Sequence, residues 1–156
     1  MKKSIENIYK KISLYCSYQE RSHKEVLLKI SKSNISKNET DKIIAKLITE
    51  NFLNETRYAI AYARGKFRIK NWGKIKIINK LKQQNISPWN INKAIDEIDK
   101  DEYSKSFNLI FNKLNLKYNY LKNIYRKKKI LSILYSKGWE YELIIDSLNT
   151  EIKKNN

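Results

Sequence analysis

Residues 80–98 read KLKQQNISPWNINKAIDEI, and residues 29–47 read KISKSNISKNETDKIIAKL. Offset by 51 positions, Lys29 meets Lys80, Asn34 meets Asn85, Ile35 meets Ile86, Ser36 meets Ser87 and Ile44 meets Ile95. Each copy reads as the end of one helix and the start of the next. Asn34 and Asn85 take the left-handed conformation that closes a helix, Ile35 and Ile86 tuck beneath, and Ser36 and Ser87 cap the helix that follows. Glu39 completes a capping box with Ser36, and Pro88 sits in a first turn, where its missing N–H costs nothing. A third copy, ILYSKGWEYELIIDSL over residues 133–148, follows at an offset of 53. Gly138 takes the closing position there and Trp139 the tucked one, with Leu134, Ile144 and Leu148 matching Leu81, Ile91 and Ile95. Asn, Asn and Gly are the residues that a left-handed position accepts most readily.

An amphipathic segment precedes each copy. ERSHKEVLLKI opens with Ser22 and Glu25 as a capping box and shows Val26, Leu27 and Ile30 at helical spacing. NWGKIKIINKL presents Ile75, Ile77, Ile78 and Leu81, and LKNIYRKKKILSIL presents Ile124, Ile130, Leu131 and Leu134. A further helix lies before each of these, at roughly 3–18, 55–69 and 102–116. The unit is therefore three helices in about 50 residues, a period that marks a tandem array whose neighbours cover one another's apolar faces. The expected fold is all-α: three tandem three-helix repeats stacked into an elongated, curved array. Repeat one spans 1–53, repeat two, the basic one, 54–101, and repeat three 102–150, with a C-terminal tail at 151–156.

Composition supports this reading. One proline and three glycines in 156 residues leave few helix breakers. The single cysteine, Cys16, excludes an internal disulfide framework and suits a reducing cytoplasm. No apolar run approaches the roughly 18 residues of a membrane span, and MKKSIENIYKKIS has no apolar core or cleavage site of a signal peptide. The expected location is the cytoplasm, and a monomer is expected, since an array needs no second copy to bury its core.

The net charge of +17 points to a polyanionic partner. AT-rich codon usage raises lysine and glutamate together, so it accounts for the lysines and not for the imbalance. No acidic residue occurs between Glu55 and Asp96, a window that holds Arg57, Arg64, Lys66, Arg68, Lys70, Lys74, Lys76, Lys80, Lys82 and Lys93. Arg64 and Arg68, Lys66 and Lys70, and Lys76 and Lys80 are each four apart, so on helices they form rows that suit phosphates. Tyr62, Phe67 and Trp72 lie among them and read as packing groups, with base stacking as the alternative. YRKKK, residues 125–129, is a second basic cluster, whose successive side chains point about 100° apart and so face different ways. The eleven tyrosines serve helix packing or a partner surface, and the sequence does not separate the two.

Enzymatic chemistry has no foothold. One His and one Cys, His23 and Cys16, cannot furnish a zinc site. No phosphate loop, nucleophile elbow or spaced His/carboxylate set occurs. His23 reads as a surface residue in a first helical turn, and Cys16 as a buried packing group. Asp96, Glu97, Asp99, Asp101 and Glu102 read as intramolecular partners for the basic window. No cofactor and no catalytic residue is expected.

The residues also resemble the RecX family, bacterial modulators of the RecA recombinase. YQERSHKEVLLKI supplies Arg21, Ser22, Glu25, Val26 and Ile30 where that family has an Arg-x-x-Ser-like turn and a Glu-Leu-x-x-Lys-Leu helix. LNETRYA, Leu53 to Ala59, stands for its Leu-Asp-Asp-x-Arg-Phe-Ala signature, with Asn54 and Glu55 in place of the aspartates. ARGKFRIKNWGKIKIINKL, through Gly73, then matches the basic stretch and glycine that lead into the middle repeat's second helix. The resemblance implies a crescent of three repeats lying in the groove of the RecA–DNA filament and restraining ATP turnover and strand exchange. The implied partners are the RecA filament and single- and double-stranded DNA. On that basis Arg57, Arg64, Lys66, Arg68, Lys70, Lys74, Lys76, Lys80, Arg126 and Lys127 are the expected RecA- or DNA-binding residues. The alternative is a non-specific helix-turn-helix-like DNA-binding protein acting without RecA. The unlike third-helix starts KNETDK, PWNINK and WEYELI argue against three base-reading helices.

Overall fold

The computed structural model describes residues 3–154; Met1 and Lys2, and Asn155 and Asn156 at the end of the expected tail, lie outside the described residues. Among the described residues there are nine helices and no strand. They fall into three triplets: α1 (Lys3–Tyr18), α2 (His23–Ser31) and α3 (Lys37–Thr49); α4 (Glu55–Lys70), α5 (Lys74–Gln83) and α6 (Pro88–Asp96); α7 (Lys100–Lys117), α8 (Asn123–Ser136) and α9 (Tyr141–Lys154). The all-α, three-by-three reading holds. α9 runs on to Lys154, through much of the stretch read as a tail.

Local chemistry sets the boundaries as expected. Asn34, Asn85 and Gly138 have φ of 49°, 58° and 86°. Beyond the latter two, Ile86 N–H returns to Leu81 C=O at 3.2 Å and Trp139 N–H to Leu134 C=O at 3.1 Å, the same closing bond in two repeats. Ser22 with Glu25 and Ser36 with Glu39 form full capping boxes, and Ser87 Oγ accepts from Asn90 N–H at 3.3 Å. Two more asparagines, Asn51 and Asn71, are left-handed with φ of 63° and 54°, closing α3 and α4. There, Phe52 N–H reaches Leu47 C=O at 2.8 Å and Trp72 N–H reaches Lys66 C=O at 3.2 Å.

The chain forms two compact units, Met1–Tyr62 with Leu81–Ala94, and Ala63–Lys80 with Ile95–Asn156. The core of the first centres on Ile5, Tyr9, Ile12, Cys16, Val26, Ile30, Ile43, Leu47 and Leu53, with Ile8, Tyr15, Ile35, Ile44 and Phe52 packed around it. Cys16 is buried, and burial pushes its thiol pKa up. In the second unit Phe67, Tyr103, Phe107, Phe111 and Trp139 form an aromatic core, with the Tyr103 and Trp139 ring centroids 4.6 Å apart. Phe67 is thus a packing group, 2 % exposed.

Each unit contains one clasp, in which the turn before a second helix meets the end of the following repeat's second helix. In the first unit Ser22 Oγ donates to Gln84 Oε1 at 3.0 Å and Lys24 Nζ to Gln83 C=O at 2.7 Å. In the second, Gly73 N–H donates to Lys137 C=O at 2.9 Å, Ile75 N–H to Gly138 C=O at 3.1 Å, and Lys76 Nζ to Ser136 C=O at 3.1 Å. The offsets of 51 and 53 make Ser22 equivalent to Gly73 and Gln83 equivalent to Ser136. The second clasp is the tighter: a Cβ on Gly73 would stand 2.2 Å from Gly138 O, and one on Gly138 2.2 Å from Lys76 Cβ. Gly73→Ala should therefore lower the urea-unfolding free energy by about 2–3 kcal/mol, through overpacking with nowhere to relax. Gly65→Ala, which meets nothing within 4 Å inside α4, should raise it by about 0.5–1 kcal/mol, the helix-interior cost of glycine.

Candidate functional site

The family-like stretch Leu53–Ala59 lies in the first unit, where its residues hold structure together. Asn54 Oδ1 accepts from Arg57 N–H at 2.9 Å, capping α4. Glu55 accepts from Ser87 N–H at 3.3 Å and from the Asn90 side-chain amide, supplying from α4 the carboxylate that α6 lacks at its own third position. Thr56 Oγ1 donates to Asn90 Oδ1 at 2.7 Å, so the buried asparagine is bound at both ends of its amide. Burial pushes the Glu55 carboxyl up, but the hydrogen bonds from Asn90 and Ser87, with nearby His23, outweigh it and hold the pKa below the usual range. Arg57 Nε donates to Glu20 Oε1 at 2.9 Å, while its other nitrogens reach Asn51 Oδ1 at 2.6 Å and Asn51 C=O at 2.9 Å. The guanidinium thereby pins the left-handed end of α3. Tyr58 is buried against Tyr62, with ring centroids 5.7 Å apart, and burial raises its pKa strongly.

The other nine expected contact residues belong to the second unit. Two of the arginines are committed to the carboxylates that follow the basic window, as the sequence suggested. Arg68 makes a forked pair with Glu102, at 2.8 Å and 3.0 Å, and Arg64 reaches Glu97 at 4.0 Å. The hydrogen bonds between Arg68 and Glu102 lower the Glu102 pKa and push the Arg68 guanidinium higher still. The lysines are placed differently. Lys66 and Lys76 both lie over the Trp72 indole, at 5.2 Å and 4.7 Å from its centroid. Lys74 lies 4.6 Å from the Tyr103 ring and donates its N–H to Tyr103 Oη at 3.0 Å; that hydroxyl donates in turn to Glu140 Oε2 at 2.7 Å. Lys70 is exposed, and Lys137 Nζ stands 3.5 Å from its carbonyl. Lys80 follows one turn after Lys76 on α5.

Trp72 therefore gathers cations around a half-buried ring, and α8–α9 adds Lys137, which the sequence reading missed. Its signal was the register: Lys137 stands at the position of Gln84, a clasp residue. Arg126 and Lys127 are elsewhere. They lie at the start of α8, about 15 Å along that helix from Ser136, where Lys76 is anchored.

Three-helix units joined turn to turn, with cations on helix surfaces, define an all-α tandem-repeat protein. Residues 54–95 match the family model described as the second three-helix domain of RecX. The chain is 28% identical over 140 residues to the regulatory protein RecX of Lactobacillus johnsonii, covering 88% of this chain and 52% of that protein. Against the regulatory protein RecX of Streptococcus uberis the identity is 33% over 135 residues, covering 83% and 50%. The crystal structure of RecX from Lactobacillus salivarius superposes with a TM-score of 0.83 at 26% identity, over 98% of this chain and 99% of that one. A second RecX crystal structure, 20% identical, shares the fold with a TM-score of 0.81 over 94% of this chain and 72% of that one. The chain belongs to the RecX family, and it spans about half the length of the curated relatives named here. Those relatives are named as regulatory proteins, and no described helix is long and apolar enough to cross a membrane.

Two outcomes test this account of the signature. Arg57→Gln should cost about 1–2 kcal/mol of stability, from lost charge-assisted bonds and an orphaned Glu20. Its DNA affinity per folded molecule should be unchanged, whereas loss of a phosphate contact would weaken binding and lower the salt slope. Glu55, with its depressed pKa, stabilises the fold above the ordinary glutamate range and loses that contribution as pH falls through it. The stability gap between wild type and Glu55→Gln, measured in urea, should narrow as pH drops below about 4.3.

Proposed function

We propose that the protein is a cytoplasmic regulator that binds the RecA–DNA filament and restrains its ATPase and strand exchange, doing no chemistry of its own. The observation that carries this reading is the lysine face of α4 and α5 in the second unit. It lies within a window without a single carboxylate, in a chain whose relatives are named regulatory proteins. Lys66, Lys70, Lys74, Lys76 and Lys80 are its contact residues in this reading. Arg64 and Arg68 shape the same face through Glu97 and Glu102, and Lys137 extends it. Paired lysines held over an indole lose less rotamer freedom on meeting a phosphate than free ones do, which favours an ordered polyanionic partner.

The test is the single-strand-DNA-dependent ATP hydrolysis of RecA with this protein titrated in at moderate salt. Inhibition is expected well below one protein per RecA monomer. Lys66→Gln with Lys70→Gln should raise the half-inhibitory concentration on the order of ten-fold. Unchanged hydrolysis alongside ordinary salt-sensitive DNA binding would instead favour a DNA-binding module that acts without RecA.

A further inference from the structure

The third repeat departs from the other two at the clasp register. α2 and α5 begin immediately after Ser22 and Gly73, and have 9 and 10 residues. α8 has 14 and begins a full turn earlier, so Arg126 stands inside the helix at the register of Gly73. The Gly73 position meets a neighbouring turn so closely that a Cβ there would lie 2.2 Å from a carbonyl oxygen. A guanidinium-bearing side chain at that register cannot receive a turn in the same way. The start of α8 therefore differs in shape and charge from the Ser22 and Gly73 positions.

Its chemistry is distinctive. Tyr125, Lys128, Leu131, Ser132 and Tyr135 recur at helical spacing along one side of α8. Lys128, Leu131, Ser132 and Tyr135, with Tyr141 from α9, line an open cleft of about 390 Å³. Tyr125, Tyr135 and Tyr141 are 60%, 61% and 54% exposed, unlike Tyr9, Tyr58 and Tyr103, which are buried in the cores. Among the described residues none of Lys122, Arg126, Lys127, Lys128 and Lys129 forms an ion pair. Lys129 turns away toward Tyr118, 5.8 Å from that ring, so Lys128 is the cation of the cleft itself. The occupant this surface fits must carry negative charge at intervals and flat apolar groups between. A single-stranded nucleic acid offers both, with phosphates for the cations and unstacked bases for the rings.

We propose that the α8–α9 cleft is a base-stacking site for single-stranded nucleic acid, with Tyr135 and Tyr141 holding a base and Lys128 a flanking phosphate. The site is distinct from the α4–α5 lysine face and is tested on nucleic acid alone, so its failure would leave the reading of the filament untouched. The experiment is anisotropy of a labelled deoxythymidine oligonucleotide, alongside an abasic oligonucleotide of the same length. Tyr135→Ala with Tyr141→Ala should weaken binding of the base-bearing strand about ten-fold or more and leave the abasic strand unaffected. Tyr135→Phe with Tyr141→Phe, which keeps the rings, should retain wild-type affinity and shows that the loss is not one of folding. Equal wild-type affinity for both strands, or an alanine variant that binds the base-bearing strand as tightly as wild type, overturns the proposal. Competition by polyglutamate with the same dependence on the two tyrosines would also overturn it, marking the cleft as a docking site for an acidic peptide.

Discussion

The contact of Gly73 with Gly138 is the constraint on which the second unit is organised. Two backbones approach so closely that neither position admits a methyl group, and the approach is fixed by hydrogen bonds from Gly73 N–H, Ile75 N–H and Lys76 Nζ. It fixes where Trp139 enters the aromatic core, because its indole N–H donates to Asn71 C=O at 3.2 Å. It fixes the lysine face too, since Lys76 is tethered to Ser136 while lying over Trp72. The Ser22–Gln84 contact of the first unit performs the same service with a hydroxyl in place of bare backbone.

Much of this was legible in the sequence, for a physical reason. A helix end uses few residues, each with a strict backbone demand, so a repeated end announces itself: Asn34, Asn85 and Gly138 all carry positive φ. Asn51 and Asn71 meet the same demand but stand in no repeated phrase, and they passed unread. The core faces followed from helical spacing, although Leu27, Ile75 and Ile124, also at apolar positions, are exposed to differing degrees. His23, read as a surface residue, is half-buried with its Nε2 enclosed and unpartnered at the start of α2.

Charge was harder to read than hydrophobicity. An arginine's partner can sit anywhere in the chain, and Glu20, Glu97 and Glu102 lie more than thirty residues from Arg57, Arg64 and Arg68. Of the five neighbouring carboxylates read as internal partners of the basic window, Glu97 and Glu102 pair with its arginines, while Asp99 caps α7. What a count cannot do is divide cations held by their own chain from those presented outward. In the basic window Arg57, Arg64 and Arg68 were taken up by carboxylates, whereas Lys66, Lys74 and Lys76 came to rest on aromatic rings. The division follows side-chain geometry, which is invisible until the helices are packed.

The compact units do not follow the repeats. The first takes the start of α4 and the end of α5, and the second takes the remainder of both. Helices α4 and α5 are thus each shared lengthwise, and the middle repeat owns no core wholly its own. Exchange of a whole repeat cuts into both packed units, because each draws on the middle repeat. The heritable module of such a chain is the junction, and its repeats are what lies between junctions.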